Sequence, residues 1–167
     1  MTVVVPRFSL VVLCGPAGCG KSTFAQRVFP PTAIVSSDQL RAMIADDEDD
    51  QSVSRDAFEL FHRLIELRLR RRRLAVADST ALSPDARREL RALARRAGAP
   101  VGIFVFDLPE SVCLAWDARR ARRVGPAVIH RQWEMLQEAL RRIPTEGYDQ
   151  VVVLGEDDVR TAQVQIV

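Results

Sequence analysis

The sequence predicts an α/β fold, a five-stranded and mainly parallel sheet with helices on both faces. Two observations carry this expectation. Short apolar runs alternate with segments of helical periodicity along the chain. Several of those runs are continuously apolar instead of alternating, as strands buried on both faces are. A chain of 167 residues, 47% apolar and without a Gly/Ser linker, fits one domain spanning 1–167 with a sizeable core.

The elements follow in order. Ser9–Cys14 reads as the first strand and Lys21–Val28 as the helix after it. Ala33–Ser36 is the second strand, followed by a helix over Ser37–Ala45. Ala57, Leu60, Phe61, Leu64 and Leu67 form an apolar stripe at helical spacing. The basic run Arg70–Arg73 is the solvated end of that helix. Leu74–Asp78 is the third strand. Ser83-Pro84-Asp85 opens a helix, with serine as cap and proline at its first position. Val101–Asp107 is the fourth strand. Pro109–Arg123 and Pro126–Arg142 read as two helices broken at Gly125-Pro126, and Gln150–Leu154 is the fifth strand.

The formal charge of +2 is too small to announce nucleic-acid binding, but its distribution is uneven. Arginines crowd 68–73, 87–96, 119–123 and 141–142, whereas acids crowd 46–50. That acidic run reads as a solvated loop. Lys21 is the sole lysine, so arginine serves nearly everywhere else. Three cysteines, Cys14, Cys19 and Cys113, lack paired or metal-type spacing and fit a reduced, cytoplasmic protein. No apolar stretch is long enough for a membrane span, and the N-terminus lacks a leader pattern. His62 and His130 are isolated and read as surface or packing residues.

Gly15-Pro16-Ala17-Gly18-Cys19-Gly20-Lys21-Ser22 fits G-x-x-x-x-G-K-[ST], set between a strand and a helix. Glycines let the backbone curl so that several N–H groups point at one phosphate, and the helix N-terminus adds its dipole. Lys21 is then expected to bridge the β- and γ-phosphates of ATP, with Ser22 as a Mg²⁺ ligand and Thr23 beside it. Cys19 lies inside this loop and reads as packing. The expected fold is therefore that of a P-loop kinase.

Ligands of parallel sheets bind beyond the carboxyl ends of the strands. Asp38 stands there, just past the second strand. A carboxylate at that point can accept the proton of an attacking hydroxyl, or Ser37 or Asp38 can simply cap the helix. Asp78 ends the third strand, where a metal-side acid, an acceptor-site residue or a structural turn all fit. Asp107 reads as a helix-start residue. Asp117–Pro126 joins two helices and carries Arg119, Arg120, Arg122 and Arg123. Such a segment can close as a lid over ATP, because guanidinium grips phosphate in a bidentate way. Arg120 and Arg123 are three apart and share one helical face, while Arg119 and Arg122 share the competing one.

Taken together these stretches resemble the N-terminal kinase domain of bacterial polynucleotide kinase-phosphatase, an RNA end-healing enzyme. The resemblance runs from about Ser9 to Leu154. It rests on Gly20-Lys21-Ser22-Thr23-Phe24-Ala25, Ser36-Ser37-Asp38, Asp46-Asp47-Glu48, Asp78, Leu108-Pro109-Glu110, Arg120, Arg123 and Glu146-Gly147. It implies transfer of the γ-phosphate of ATP to 5′-hydroxyl ends of RNA or DNA, with Mg²⁺ or another divalent cation. It implies Asp38 as general base, Arg41 on the acceptor phosphate, and Lys21, Ser22, Arg120 and Arg123 in phosphate, metal and lid roles. Phosphatase and ligase-like modules are expected in a parent protein, of which this chain is one domain. Two positions depart from the pattern. Ala81 stands where an asparagine is often seen, and Trp116 where a basic residue fits. A kinase of a small alcohol or nucleotide-like acceptor, and a non-catalytic nucleotide switch, are the competing readings.

Overall fold

The computed structural model describes all residues from Met1 to Val167. Its centre is a five-stranded sheet in the order β3-β4-β2-β5-β6, with every neighbouring pair parallel. The strands are β2 (Leu10–Cys14), β3 (Ile34–Ser36), β4 (Ala75–Asp78), β5 (Val101–Phe106) and β6 (Gln150–Leu154). The helices are α1 (Lys21–Val28), α2 (Ser37–Ala45), α3 (Ser54–Arg70), α4 (Pro84–Ala97), α5 (Glu110–Arg119), α6 (Pro126–Arg142) and the short α7 (Glu156–Thr161).

Side chains of a strand alternate between faces, and here each face has its own core. Leu10, Val12 and Cys14 point toward α3, α4 and α6, where they meet Phe61, Ile65, Leu69, Leu90 and Leu136. Val11 and Leu13 point the other way, toward Phe24, Phe104, Phe106 and Ile129. Phe24 of α1 packs edge-on against Phe106, ring centroids 5.5 Å apart. Burial of this ring does much to anchor α1, and truncating an aromatic of its size typically costs about 3–5 kcal/mol.

The register matters for the site. Ser36 pairs with Asp78 and Val35 with Ala77, so β3 and β4 end level with one another. The chain leaves β2 toward β3 and β4 on one side and reaches β5 and β6 on the other. The loop after the central strand therefore lies at the point where the winding reverses, the usual ligand crevice of such sheets.

Several elements differ from the sequence-based expectation. A second sheet is made by the chain ends, β1 (Thr2–Val5) pairing in parallel with β7 (Gln163–Ile166). The buried face of α3 is Ala57, Phe61, Ile65 and Leu69, a strict four-residue step, whereas Leu60, Leu64 and Leu67 are exposed. The lid helix stops at Arg119 and not at Arg123. The buried Asp117 carboxylate accepts from the N–H groups of Val124 and Gly125, at 3.1 and 3.0 Å, and folds the chain back there. Asp107 gives no cap to α5, whose N-cap is Pro109; the Asp107 N–H instead donates to Leu154 O.

Candidate active site

The loop after β2 wraps the start of α1. Gly20 holds the N-cap position with φ +89, in the left-handed region that side chains rarely adopt. A Cβ there would also stand 2.9 Å from Val159 and 3.2 Å from the Trp116 ring, so only glycine fits. Two hydrogen bonds pin the loop: Gly15 N–H to Thr80 O at 3.0 Å, and Ala17 N–H to Gln132 Oε1 at 2.8 Å. The buried Lys21 ammonium curls back over the loop and donates to Gly15 O and Pro16 O at 2.9 and 2.7 Å. Cys19 is fully buried 3.7 Å from that ammonium, and burial pushes its thiol up, away from a reactive thiolate. Ser22 and Thr23 follow at the exposed first turn of α1, whose leading N–H groups have no helical partner.

Ser22 Oγ donates to Asp78 Oδ2 at 2.7 Å, so the end of β4 meets the start of α1. Burial pushes the Asp78 carboxyl up, while Lys21 and Ser22 pull it back. A cation beside it would stabilise the ionised form. Hydroxyl and carboxylate oxygens are hard ligands of the type Mg²⁺ takes in company with water and phosphate oxygens. No group of three His, Cys, Asp or Glu side chains is placed to hold a metal unaided. The pair therefore fits a metal carried in on a phosphate, and Ser22 and Asp78 are the residues that would hold it.

Ser36 is the N-cap of α2, accepting from Gln39 N–H at 3.3 Å. This frees Asp38 from capping. Asp38 Oδ1 accepts from Arg41 Nη1 at 2.6 Å, the three-residue spacing placing both on one side of the first turn. Arg41 is no solvated helix arginine. It is buried, its Nε donates to Ser54 Oγ at 3.1 Å, and its guanidinium lies 5.6 Å from the Phe58 ring centroid. Two anchors thus fix the cation, and the cation fixes the carboxylate.

The lid splits its arginines between two sides. Arg120 lies over the phosphate loop, its Nη1 3.2 Å from where a Gly18 Cβ would be. This atom is buried and lacks a hydrogen-bond partner, since Asp117 Oδ1 at 3.5 Å is near enough for attraction only. A desolvated guanidinium N–H left unpaired above a phosphate loop is a strong demand for an anion. Arg123 is exposed and donates from Nε to Arg120 O at 3.4 Å. Arg122 leans the other way, onto Glu48, Asp49 and Asp38. The helical-face pairing of Arg120 with Arg123 does not apply, because the helix has already ended. The acidic run is correspondingly more than a solvated loop.

The family model for the AAA domain matches residues 10–143, from the first residue of β2 to just past the end of α6. This chain belongs to the AAA domain family. Its fold is that of a P-loop kinase, as solved structures show. A chain in the structure of the Pnkp1/Rnl/Hen1 RNA repair complex superposes with a TM-score of 0.66 at 22% identity, covering 81% of this chain and 46% of that one. This chain thus spans less than half of that protein. A gluconokinase from Sinorhizobium meliloti gives 0.57 at 20% identity, covering 90% and 84%. The Mycobacterium tuberculosis APS kinase CysC gives 0.52 at 16%, covering 89% and 90%. No curated protein matches at a significant level.

In this AAA domain, several working residues escape sequence reasoning. Gln132 reaches the phosphate loop from α6, 115 residues away, and nothing local announces it. Asp117 holds the lid turn, and a lone acid before a run of arginines was the available signal. Arg87 is fully buried, paired with Glu146 at 2.8 Å, and donates from Nη1 to Ala81 O and Leu82 O at 3.1 and 2.8 Å. It thereby fixes the segment after β4, which lines one wall of the crevice. Ala81 has φ +47, where asparagine is the best-tolerated side chain after glycine. Trp116 packs on Gly20 under the Arg160 guanidinium, 5.3 Å from the ring centroid. No helix is long and apolar enough to cross a membrane.

Proposed function

We propose that this protein is an ATP-dependent polynucleotide 5′-hydroxyl kinase acting on RNA or DNA ends. The observation that carries the reading is the Asp38–Arg41 pair: a carboxylate free of capping duty, bonded to a buried guanidinium that Ser54 and Phe58 hold in place. A neutral small alcohol brings nothing for a fixed cation to hold, whereas a nucleotide acceptor brings a phosphate.

In this mechanism the loop N–H groups and Lys21 grip the β- and γ-phosphates of ATP, the lysine exchanging its carbonyl partners for phosphate oxygens. Ser22 and Asp78 would hold Mg²⁺, whose charge would help neutralise the phosphates. Arg120 supplies its unpaired N–H to the transferred group, with Arg123 behind it in the lid. Arg41 takes the phosphate on the 3′ side of the terminal nucleotide, which orients the 5′-hydroxyl in line with the γ-phosphorus. Asp38 accepts the hydroxyl proton. The bond from phosphorus to the attacking oxygen forms as the bond to the β,γ-bridging oxygen breaks, and ADP leaves. Fusion to phosphatase and ligase-like modules in a longer parent, within the cytoplasm, accords with this role.

A second reading, phosphorylation of a small polyol or nucleotide-like acceptor, draws on a cavity of about 480 Å³ beside the same wall, lined by Phe58, His62, Thr80, Ser83 and Arg131 among others. The experiment offers γ-labelled ATP with a nucleoside, a nucleoside 3′-monophosphate, a 5′-hydroxyl oligonucleotide and a panel of sugar alcohols and acids. Efficient labelling of the two phosphate-bearing acceptors, and poor labelling of the bare nucleoside, is expected. Equal use of nucleoside and nucleoside 3′-monophosphate removes the case for Arg41 and favours the small acceptor. ATP binding without transfer to any acceptor favours a nucleotide switch.

A further inference from the structure

One cation at the catalytic edge has no part in the mechanism above. Arg122 projects from the lid away from the phosphate loop and meets a different segment, the acidic run after α2. Its Nε donates to Asp49 Oδ2 at 2.7 Å, its Nη1 pairs with Glu48 Oε1, and its Nη2 stands 3.8 Å from Asp38 Oδ2. Asp38 holds Arg41 through its other oxygen. Arg41, Asp38 and Arg122 therefore form a continuous line of charge from a buried guanidinium to a partly exposed one, with Glu48 and Asp49 at the outer end.

Charge along this line is informative. Two guanidinium groups face three carboxylates, and two of those come from a segment with no other cation bonded to it. Carboxylate and phosphate are the anions that guanidinium grips with the same forked geometry. Glu48 and Asp49 are thus partners of Arg122 whose places a phosphate can take. The contact is partly exposed, with 31% of the Arg122 side chain accessible and 41% and 53% of its partners. Ion pairs of this exposure contribute little net stability, so a polyanion competes with them readily.

We propose that Arg122 is a second phosphate subsite for the acceptor strand, covered by Glu48 and Asp49 until a polyanionic acceptor displaces them. The inference rests on the polynucleotide reading and adds a length dependence to it. An acceptor with one phosphate reaches Arg41 only. An acceptor with further phosphates also takes Arg122, opens the acidic cover and leaves Asp38 to its hydroxyl.

The test compares the unmutated protein with Arg122→Gln and with the double variant Glu48→Gln/Asp49→Asn. Initial rates are measured with a nucleoside 3′-monophosphate and with a 5′-hydroxyl oligonucleotide. Binding of a fluorescent single-stranded oligonucleotide is followed by anisotropy across a salt series. Arg122→Gln is expected to raise the KM for the oligonucleotide about tenfold more than the KM for the mononucleotide, the usual order for one charge-assisted contact. It should also flatten the salt dependence of binding by about 0.7 in log–log slope, one single-strand phosphate contact. The double variant is expected to tighten oligonucleotide binding several-fold. An Arg122→Gln effect of equal size on both acceptors, or an unchanged salt slope, overturns the subsite. So does weaker oligonucleotide binding by the double variant. Failure of the unmutated protein to phosphorylate either nucleotide sinks the polynucleotide reading itself, and the subsite with it.

Discussion

Lys21 and Arg122 are both cations at the carboxyl edge of the sheet, and they are held in opposite ways. Lys21 is buried and grips main-chain carbonyls five and six residues before it. Its position follows from the loop alone. Arg122 is a third exposed and grips side chains more than seventy residues before it. The phosphate loop is thus built locally by one strand, one loop and one helix start, and Gln132, Asp78 and Arg120 are brought to it from elsewhere in the chain. The proposed acceptor half is an assembly of α2, the acidic run, the segment after β4 and the lid. Local objects are stiff and are specified by short motifs. Assemblies adapt, and their specificity is spread over contacts that do not lie side by side in the sequence.

The sharpest way to break this comparison is to remove the chemistry of each half in turn. Lys21→Ala should abolish transfer while leaving the far-UV circular dichroism spectrum intact, since no second ammonium exists to substitute. Asp38→Asn keeps a bond to Arg41 but cannot accept a proton. It should fold, bind ATP and lose roughly 10²–10⁴-fold in kcat. Near-normal turnover by that folded variant removes Asp38 from the mechanism.

Within the lid, the two arginines expected to act as a pair should separate. Arg120 is desolvated over the loop and Arg123 is exposed. Arg120→Ala should slow transfer by roughly 10²–10³-fold, the cost of one preorganised donor. Arg123→Ala should cost less, and Arg120→Lys should rescue only partly because an ammonium lacks the fork. A larger loss at Arg123 than at Arg120 shows that the lid rearranges before chemistry.

The wall of the acceptor crevice is tested through Glu146. Burial pushes its carboxyl up, but the hydrogen bond and charge of Arg87 pull it down further, to a net value below the ordinary one. A carboxylate lowered in the folded state contributes its stability above the unfolded-state pKa and loses it as pH falls through the folded value. Glu146→Ala strands a fully buried guanidinium and should cost about 3–5 kcal/mol near neutral pH by urea denaturation. The difference from the unmutated protein should narrow as pH falls below the carboxylate range. A difference that stays constant with pH means that packing, not charge, holds this wall.

The smallest effect concerns backbone fit. Ala81→Gly relieves a left-handed residue at φ +47 and should raise stability by about 0.5–1 kcal/mol, a Tm rise of about 1–4 °C. A fall in Tm places the value of Ala81 in its buried methyl group instead.

Much of the fold is legible in the sequence because buried parallel strands write continuous apolar runs. Val101–Phe106 is buried at every position, and so is Leu10–Cys14. Gln163–Ile166 escapes notice although its polar and apolar residues alternate, because four residues at the end of a chain give too short a window. The stripe on α3 misleads at Leu60, Leu64 and Leu67, since leucine is as common at the margin of a buried face as within it. Within the site, the phosphate loop and the Asp38–Arg41 spacing can be read because their geometry is local. Arg122, Gln132 and the Arg87–Glu146 pair cannot, because each acts on a partner at least 59 residues distant in sequence. The lid departs from expectation because helical spacing does not extend past the point where Asp117 turns the chain.

The pairing of the two chain ends has a kinetic meaning. β1 and β7 align Thr2 with Gln163 and Val5 with Ile166, contacts that span almost all of the described residues. Closing so long a loop is entropically costly until the intervening chain has condensed, so this clasp is expected to form after the central sheet. Interactions made after the folding barrier leave the refolding rate unchanged and slow only the escape from the native state. The small end sheet is therefore a brake on unfolding, and weakening it should shorten the lifetime of the native protein without delaying its assembly.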